Sequence, residues 1–570
     1  MKYKTISSTI YNVFSLFKKA IYSILLFLCF GMVITGCEKL MKEYNDNPSD
    51  IDTEEKMVSA ITGAYDCFKD IFTNNTSSRD WYQIPNVNGD EFNHSRLYLQ
   101  LFTGTDTQWV EECEDASIYG GEYTYYYSNE TDPWYYCYKT IISLNNIINQ
   151  FGSDKKINEP MSGILGEAYL LRGYVYFRLT RVYGRIPIIT GTQVDYNIES
   201  SSYKDIYEHV VSDLKKAYDL LPANKKLARI AYTTPHKGTV KAILAEVYLN
   251  MAGYPLKDSS GYEKAAEICK EIIDSADFFG FGIVPDFAEL WQNTYPVTES
   301  VFSLYYNKTT DFQCVINMNN TNIINIRTYN TPYISARKFY NNYPQSYRKE
   351  KTFASVFPAP SSTPLDMLQP VPSTWLEDCR FKYVNYEQMS RCIPVFYKKF
   401  EVSYSHEINS GFSYREYIDS MSNIFDYSTQ INLQLYVYRY AQTLLTYAEA
   451  MARSGQLNNN AYEAVNIIRR RAHKADIYTP SVYDITEGLS AEQFLDSVVW
   501  ERAWELCAEP EGRWFDLVRL EMVEDLPQLR DRGDRLDLPD EITKDYYFRS
   551  IPQSEIYINP KLEYPDNSND

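Results

Sequence analysis

The stretch ILGEAYLLRGYVYFRLTRVYGRIP, residues 164–187, decides the fold. Its apolar positions Ile164, Ala168, Leu171, Val175, Leu179 and Val182 advance by steps of four and three, so they share one face of a helix. Gly184 closes the pattern, and Pro187 lies just beyond it. The next segment repeats the theme with Ile206, Val210, Leu214, Ala217 and Leu221, ending at Pro222. Val240, Leu244, Val247 and Met251 form a third stripe stopped by Gly253 and Pro255, with YEKAAEICKEII after it as its partner. Tyr440, Leu444, Tyr447 and Met451, then Ala461, Val465, Ile468 and Ala472, make two further stripes either side of the turn RSGQLNNN. Further helices are expected over 56–72, 132–151 and 491–508.

Helical pairs joined by short Gly- or Pro-containing turns bury a face by stacking on their neighbours, which one pair alone cannot do. Small residues such as Ala245, Ala448 and Ala450 stand where helices would cross closely. The expected fold is therefore mainly α: a right-handed, tetratricopeptide-like scaffold of helical hairpins without a strict sequence period. An unspecific helical bundle is the alternative.

Between about residues 280 and 435 the helical pattern gives way to a large, irregular, loop-rich insertion full of Tyr, Asn, Ser, Thr and Pro. Only short pieces such as ESVFSLYY and CIPVFYKKF look like strands. A second irregular stretch covers 73–130. Structureless stretches of that length in a compact domain are usually functional. The division expected is 37–279, helical with the 73–130 excursion; 280–435, insertion; and 436–570, helical again.

The amino terminus has a different chemistry. Lys2, Lys4, Lys18 and Lys19 precede an apolar run from Ala20 to Ile34, too short to span a bilayer and typical of an export signal. Ile34-Thr35-Gly36-Cys37 has the form of a bacterial lipobox, which predicts removal of residues 1–36 and a membrane lipid anchor on Cys37. Burial contributes about 0.8 kcal/mol per methylene, so two or more chains hold stably. An ordinary signal peptide, or a buried helix with an incidental cysteine, are the alternatives. Loss of the segment removes four lysines and no acid, carrying the formal charge of −19 further negative. An acidic surface repels phosphates, so no nucleic-acid partner is expected.

Of the 10 cysteines, those beyond Cys37 are scattered singly without zinc-like spacing, and most read as small buried residues. An exported chain is also able to oxidise a pair such as Cys379 and Cys392. The five histidines, His94, His209, His236, His406 and His473, form no HExxH motif, and there is no Walker loop or GxGxxG fingerprint. No metal or cofactor is expected. A calcium ion held by loop oxygens stays open, although no EF-hand spacing points to one.

Several stretches carry a family resemblance. The helix GEAYLLRGYVYFRLTRVYGRIPIIT shows a Leu-Arg pair, an aromatic-rich turn and Tyr-Gly-x-x-Pro. LYVYRYAQTLLTYAEAMARSGQ with AYEAVNIIRRRA shows Arg-Tyr-Ala, Tyr-Ala-Glu-Ala and Asn-x-x-Arg-x-Arg-Ala. WERAWELCAEPEGRWFDLVR and IPQSEIYINPKL resemble Glu-Arg, Glu-Leu, Gly-x-Arg-aromatic-Asp-Leu, Ile-Pro-x-x-Glu and Asn-Pro-x-Leu patterns, with Gly512 here directly before Arg513. With the lipobox, the chain from Cys37 to Leu562 resembles the SusD/RagB-type nutrient-binding lipoproteins of the Bacteroidetes outer membrane. One departure is CAEPEGRW, a residue longer than the usual spacing from Glu-Leu to Gly-Arg. The resemblance implies a cell-surface protein of the outer membrane that catches a glycan, or another nutrient, and hands it to a SusC-like TonB-dependent transporter. No catalysis is implied.

The motif charges Arg172, Glu449, Arg502, Glu505, Arg513 and Asp516 lie on helices with apolar opposite sides and read as ion pairs between packed helices. Trp134, Trp500, Trp504 and Trp514 read as core, as does Trp291. Ligand contacts are expected from aromatics in irregular chain, Trp81, Tyr82, Trp109, Tyr329, Tyr333 and Trp375, with Asp90, Glu91, Asn93 and Arg96 near them. An oligosaccharide or polysaccharide presents apolar C–H faces bordered by hydroxyls, which calls for flat rings plus carboxylates, amides or a guanidinium. One sugar face covering about 60 Å² of ring gains about 1.5 kcal/mol. Three such stacks give roughly 4.5 kcal/mol before ordering costs, near millimolar affinity. For each residue taken singly, filling a loop core or facing the transporter is the alternative. Two other function classes stay open: a surface glycoside hydrolase, which needs a pair of carboxylates at a set separation, and a structural or adhesive lipoprotein.

Overall fold

In the computed structural model, the helix expected over 164–182 runs from Glu159 to Tyr183 and anchors its neighbours. The structure describes residues 51, 53–72, 89–94, 133–151, 158–192, 197–230, 233–291, 297–306, 333–353, 356–358, 383–385, 433–530 and 542–562. Residues 1–53 form a separate unit of which only Ile51 and Thr53 are described, so the architecture below is that of residues 54–570.

Among the described residues seven longer helices come before the stretch 280–435 or directly after it: α1 (Glu54–Asp70), α2 (Pro133–Phe151), α3 (Glu159–Tyr183), α4 (Tyr203–Leu220), α5 (Lys237–Met251), α6 (Ser260–Asp274) and, after it, α9 (Tyr440–Arg453). The inserted chain adds α7 (Arg337–Asn342) and α8 (Tyr347–Thr352), and the carboxyl-terminal part adds α10 (Asn459–Ala472), α11 (Ala491–Glu505), α12 (Arg513–Arg519) and α13 (Gln553–Ile558). Consecutive helices pack on one another: α1 on α2, α3 on α4, α5 on α6, α9 on α10. The stack continues across the insertion because α6 packs directly on α9.

Local chemistry sets the helix ends. Asn158 caps α3 by accepting the Met161 N–H at 3.0 Å, and Gly184, at φ 75°, ends it with its own N–H on the Thr180 carbonyl at 2.9 Å. Ser490 and Gln493 form a reciprocal capping box at the start of α11. Gly253, which the sequence offers as a helix stop, has a second reason to be glycine. A Cβ there would lie 2.5 Å from the Arg519 carbonyl oxygen and 2.9 Å from the Arg519 Cβ, because the α5–α6 turn packs against the end of α12. Gly253→Ala is expected to destabilise by about 1–3 kcal/mol through that overpacking, read as a lower urea midpoint; an unchanged midpoint would show that the turn yields.

Among the described residues six short strands accompany the helices: β1 (Phe92–His94), β2 (Ser300–Tyr306), β3 (Tyr333–Ser335), β4 (Val356–Pro358), β5 (Tyr383–Asn385) and β6 (Leu433–Arg439). They form three two-stranded antiparallel ribbons, β1–β3, β2–β6 and β4–β5. In β2–β6, Ser300 pairs with Arg439 and Tyr306 with Leu433, so chain leaving after β2 returns beside it at β6. ESVFSLYY is therefore a strand as expected, whereas CIPVFYKKF lies outside the described residues. The stretch 280–435 also carries helical chain that its composition does not announce: α7, α8 and the turn Phe287–Trp291.

Many tyrosines serve the interior as fasteners. Tyr138 donates to the Pro187 carbonyl at 2.8 Å, Tyr176 to Ile189 at 2.9 Å, Tyr343 to Trp504 at 2.8 Å and Tyr436 to Leu290 at 2.9 Å, which lets each ring bury its apolar body with its hydroxyl satisfied. Trp134 and Trp514 are buried, and Trp291 is buried in a cluster against which Trp500 and Trp504 pack half-buried. Cys137, Cys269 and Cys507 are buried as expected, while Cys67 is half-buried. Cys379 and Cys392 lie outside the described residues.

Candidate functional site

The motif charges are paired as expected, five of them with partners on other helices and Arg513 with Asp90 in the chain before β1. Arg172 on α3 grips Asp213 on α4 through Nε at 2.7 Å and Nη2 at 2.8 Å, with Nη1 on Asn145 of α2 at 2.7 Å. Glu449 on α9 takes both Nη atoms of Arg519 at 2.6 and 2.7 Å, and Asp516 takes Nε of Arg502 at 3.0 Å. Glu505 meets Arg348, Arg439 and Arg471 together. Burying such groups is tolerable because each of these charges faces an oppositely charged partner.

The turn CAEPEGRW, between α11 and α12, is the hub of this arrangement. Ala508 adopts φ 61°, a left-handed conformation uncommon for a residue with a side chain. Glu509 beyond it places its two oxygens at 2.7 Å from Arg439, and Glu511 reaches Arg181 on α3 at 2.5 Å and the Tyr174 hydroxyl. The extra residue in this turn thus sits in chain held by buried pairs on both sides.

On this hub stands the β1–β3 ribbon. Its register pairs Phe92 with Ser335, Asn93 with Ile334 and His94 with Tyr333. The Ala336 N–H continues the ladder onto the Glu91 carbonyl at 2.8 Å. Chain from the irregular stretch 73–130 and chain from the insertion 280–435 therefore run side by side. Asn93 and Tyr333, selected independently from the sequence, lie one register step apart. Sequence spacing gave no sign of this, since the two strands are separated by most of α2 to α6.

Asp90 and Glu91 require correction. Both were expected to meet ligand hydroxyls, and both are turned inward: Asp90 is 1% exposed and Glu91 0%. Asp90 accepts from Arg513 Nε at 3.0 Å and Nη2 at 3.2 Å, and Glu91 Oε2 accepts the Ala508 N–H at 3.3 Å. The physical reason is Arg513, whose guanidinium lies inside the protein with its carbon 4.8 Å from the Trp500 ring centre. Burial works against that charge, and the Asp90 carboxylate, with help from Asp516 and Glu91, outweighs the penalty, leaving the Arg513 pKa raised. Trp81, Tyr82, Arg96, Trp109, Tyr329 and Trp375 lie outside the described residues, as does Cys37. Among the described residues no group of three His, Cys, Asp or Glu side chains is placed to hold a metal ion, and no helix is long and apolar enough to cross a membrane.

Two family models match the chain in order. One, described as "Starch-binding associating with outer membrane", covers residues 41–249, and the other, described as the SusD family, covers 401–568. The SusD-like protein P2 of Formosa agariphila is 23% identical over 406 residues, which is 68% of this chain and 71% of the relative. A SusD homolog from Bacteroides thetaiotaomicron superposes with a TM-score of 0.67 at 20% identity, covering 90% of this chain and 97% of its own. Surface glycan-binding protein A from Bacteroides thetaiotaomicron, solved in complex with laminarihexaose, gives a TM-score of 0.62 at 17% identity, covering 90% and 99%. At these identities the likeness is one of fold, the mainly α, tetratricopeptide-like scaffold.

Proposed function

Because this chain belongs to the SusD/RagB family, we propose that it is a lipid-anchored protein of the outer-membrane surface that binds a glycan and delivers it to a SusC-like TonB-dependent transporter. Acyl chains on Cys37 tether the helical stack, and the irregular face takes the nutrient. The role requires no catalytic group. The description of the matched family model and the glycan-binding protein of the same fold support carbohydrate as the ligand class.

The observation that carries the reading is the β1–β3 ribbon. Weak sugar stacking reaches useful affinity only when several subsites act together. A ribbon that brings together two aromatic-rich stretches, otherwise distant in sequence, supplies a common platform for such subsites. The proposed rings are Trp81, Tyr82, Trp109, Tyr329, Tyr333 and Trp375, with Asn93 and Arg96 as polar partners.

A binding screen of the soluble body beginning after Cys37, against plant and host polysaccharides and laminarihexaose, tests this. Replacing Trp81, Trp109 and Trp375 together by Ala is expected to weaken retention on the order of a thousandfold, because three lost stacks forfeit roughly 4.5 kcal/mol. Unchanged retention on every glycan held by the parent would remove the proposed site. A pull-down from outer membranes is expected to recover a TonB-dependent transporter; recovery without any glycan affinity would favour a purely adhesive role. New reducing ends after incubation with glycan would indicate hydrolysis instead.

A further inference from the structure

Asp90 and Glu91 sit immediately before β1, and Ala336 immediately after β3, so all three act at one end of the ribbon. The side-chain bonds of Asp90 and Glu91 to Arg513 and Ala508 lead to the same short segment. Arg513 holds Asp90 through two donors, and the Ala508 N–H holds Glu91. The Ala336 N–H is held by Glu91 in turn, while Ala336 and Phe339 pack with Ala503, Cys507 and Ala508 in one buried cluster. A two-point guanidinium–carboxylate fork fixes direction as well as distance, which a single donor cannot do. The segment is itself immobilised, since Glu509 and Glu511 on either side of Pro510 bind Arg439 and Arg181.

We propose that Arg513 is a positioning residue for ligand capture: through Asp90, and together with Ala508 through Glu91, it sets the β1–β3 ribbon in the place from which the irregular chain grips its glycan. The inference rests on the glycan-binding reading above. Arg513 and Asp90 touch no ligand in this scheme. Their effect passes through the backbone of 90–94 and 333–336.

Asp90→Asn keeps the side-chain shape and removes the charge that opposes Arg513. In variant protein shown to be folded by its circular dichroism, the dissociation constant for laminarihexaose, or for whichever panel polysaccharide retains the parent, is expected to rise at least about tenfold. Backbone amides of 92–94 and 334–336 are expected to lose hydrogen-exchange protection while those of α3 and α9 keep theirs. A purely structural pair would lower the urea midpoint and leave the affinity of the folded molecules at the parent value, and that result overturns the proposal. Should the variant fail to fold, the parent still decides, because coupling is reciprocal. Saturating glycan is expected to slow exchange at the Ala336 and Ala508 amides at least fivefold relative to α3, and no change there overturns the proposal. A parent that binds no member of the panel removes the glycan reading and this inference with it, whereas a parent that binds and an equal variant remove the inference alone.

Discussion

Glu505→Gln is expected to cost on the order of 3–5 kcal/mol and to give protein that is largely insoluble or unfolds at a much lower urea concentration. Glu505 has no solvent exposure. Its oxygens lie 2.7 Å from Arg348, 2.9 Å from Arg439 and 2.7 Å from Arg471, three guanidinium groups delivered by α8, β6 and α10. Around them Glu501 also holds Arg348 at 2.7 Å, while Glu299 holds Arg439 at 2.5 Å and Arg471 as well. Glutamine fills the same volume, so the change leaves no cavity and isolates the charge. What it removes is the carboxylate shared by all three arginines, and a buried arginine deprived of its partner has no water to turn to. The comparison is Lys204 with Glu208, 4.0 Å apart with both side chains mostly in solvent, where Glu208→Gln is expected to leave the midpoint at the parent value. A Glu505→Gln midpoint equal to the parent would show that Glu299, Glu501 and Glu509 satisfy the arginines without it.

The difference between those two pairs also marks what the sequence can and cannot reveal. Helices such as α3 and α4 were legible because their evidence is local: an apolar residue every three or four positions and a terminating glycine or proline. That Arg172, Glu449, Arg502, Glu505, Arg513 and Asp516 pair with other charges was legible too, because an ionised group among apolar neighbours has few alternatives. The identity of each partner was not. Arg172 finds Asp213 forty-one residues away, and Arg513 finds Asp90 across 423 residues. For the same reason Asp90 and Glu91 read as ligand contacts: the lone Phe92 beside them sets no apolar period that would announce burial, and the cation that draws Asp90 inward lies at the other end of the chain. Tyr343 and Tyr436 show the converse. Tyrosine-rich chain suggests sugar binding by composition, yet these two rings are buried, with hydroxyls on the carbonyls of Trp504 and Leu290. The ribbon joining Asn93 to the chain of Tyr333 was likewise beyond reach, since strands of three residues carry no readable period.

Acid should dissolve the other charge cluster in a defined direction. Glu449 is buried, and although burial favours its neutral form, the Arg519, Arg453 and Arg502 guanidinium groups hold its pKa well below the usual carboxylate range. Asp516, likewise buried, is lowered by Arg502 and Arg519 against the opposing influences of burial and Glu449. The charged groups facing them come from α5, α9, α11 and α12: Glu246, Arg453, Arg502 and Arg519. A carboxylate whose pKa is depressed by folding contributes stability that is complete above its unfolded pKa and is lost as the pH falls towards the folded one. Between about pH 5 and about pH 3 the unfolded chain therefore takes up protons that the folded one refuses, and each such group removes up to about 1.4 kcal/mol of stability per pH unit. Glu449→Gln mimics the protonated side chain permanently. The variant is expected to be much less stable than the parent near pH 7, and the gap between their urea midpoints is expected to narrow steadily as both are titrated downwards from about pH 5. A gap that stays constant over that range would mean that Glu449 matters by shape and hydrogen bonding alone, and that its charge is not what holds Arg519 and Arg502 in place.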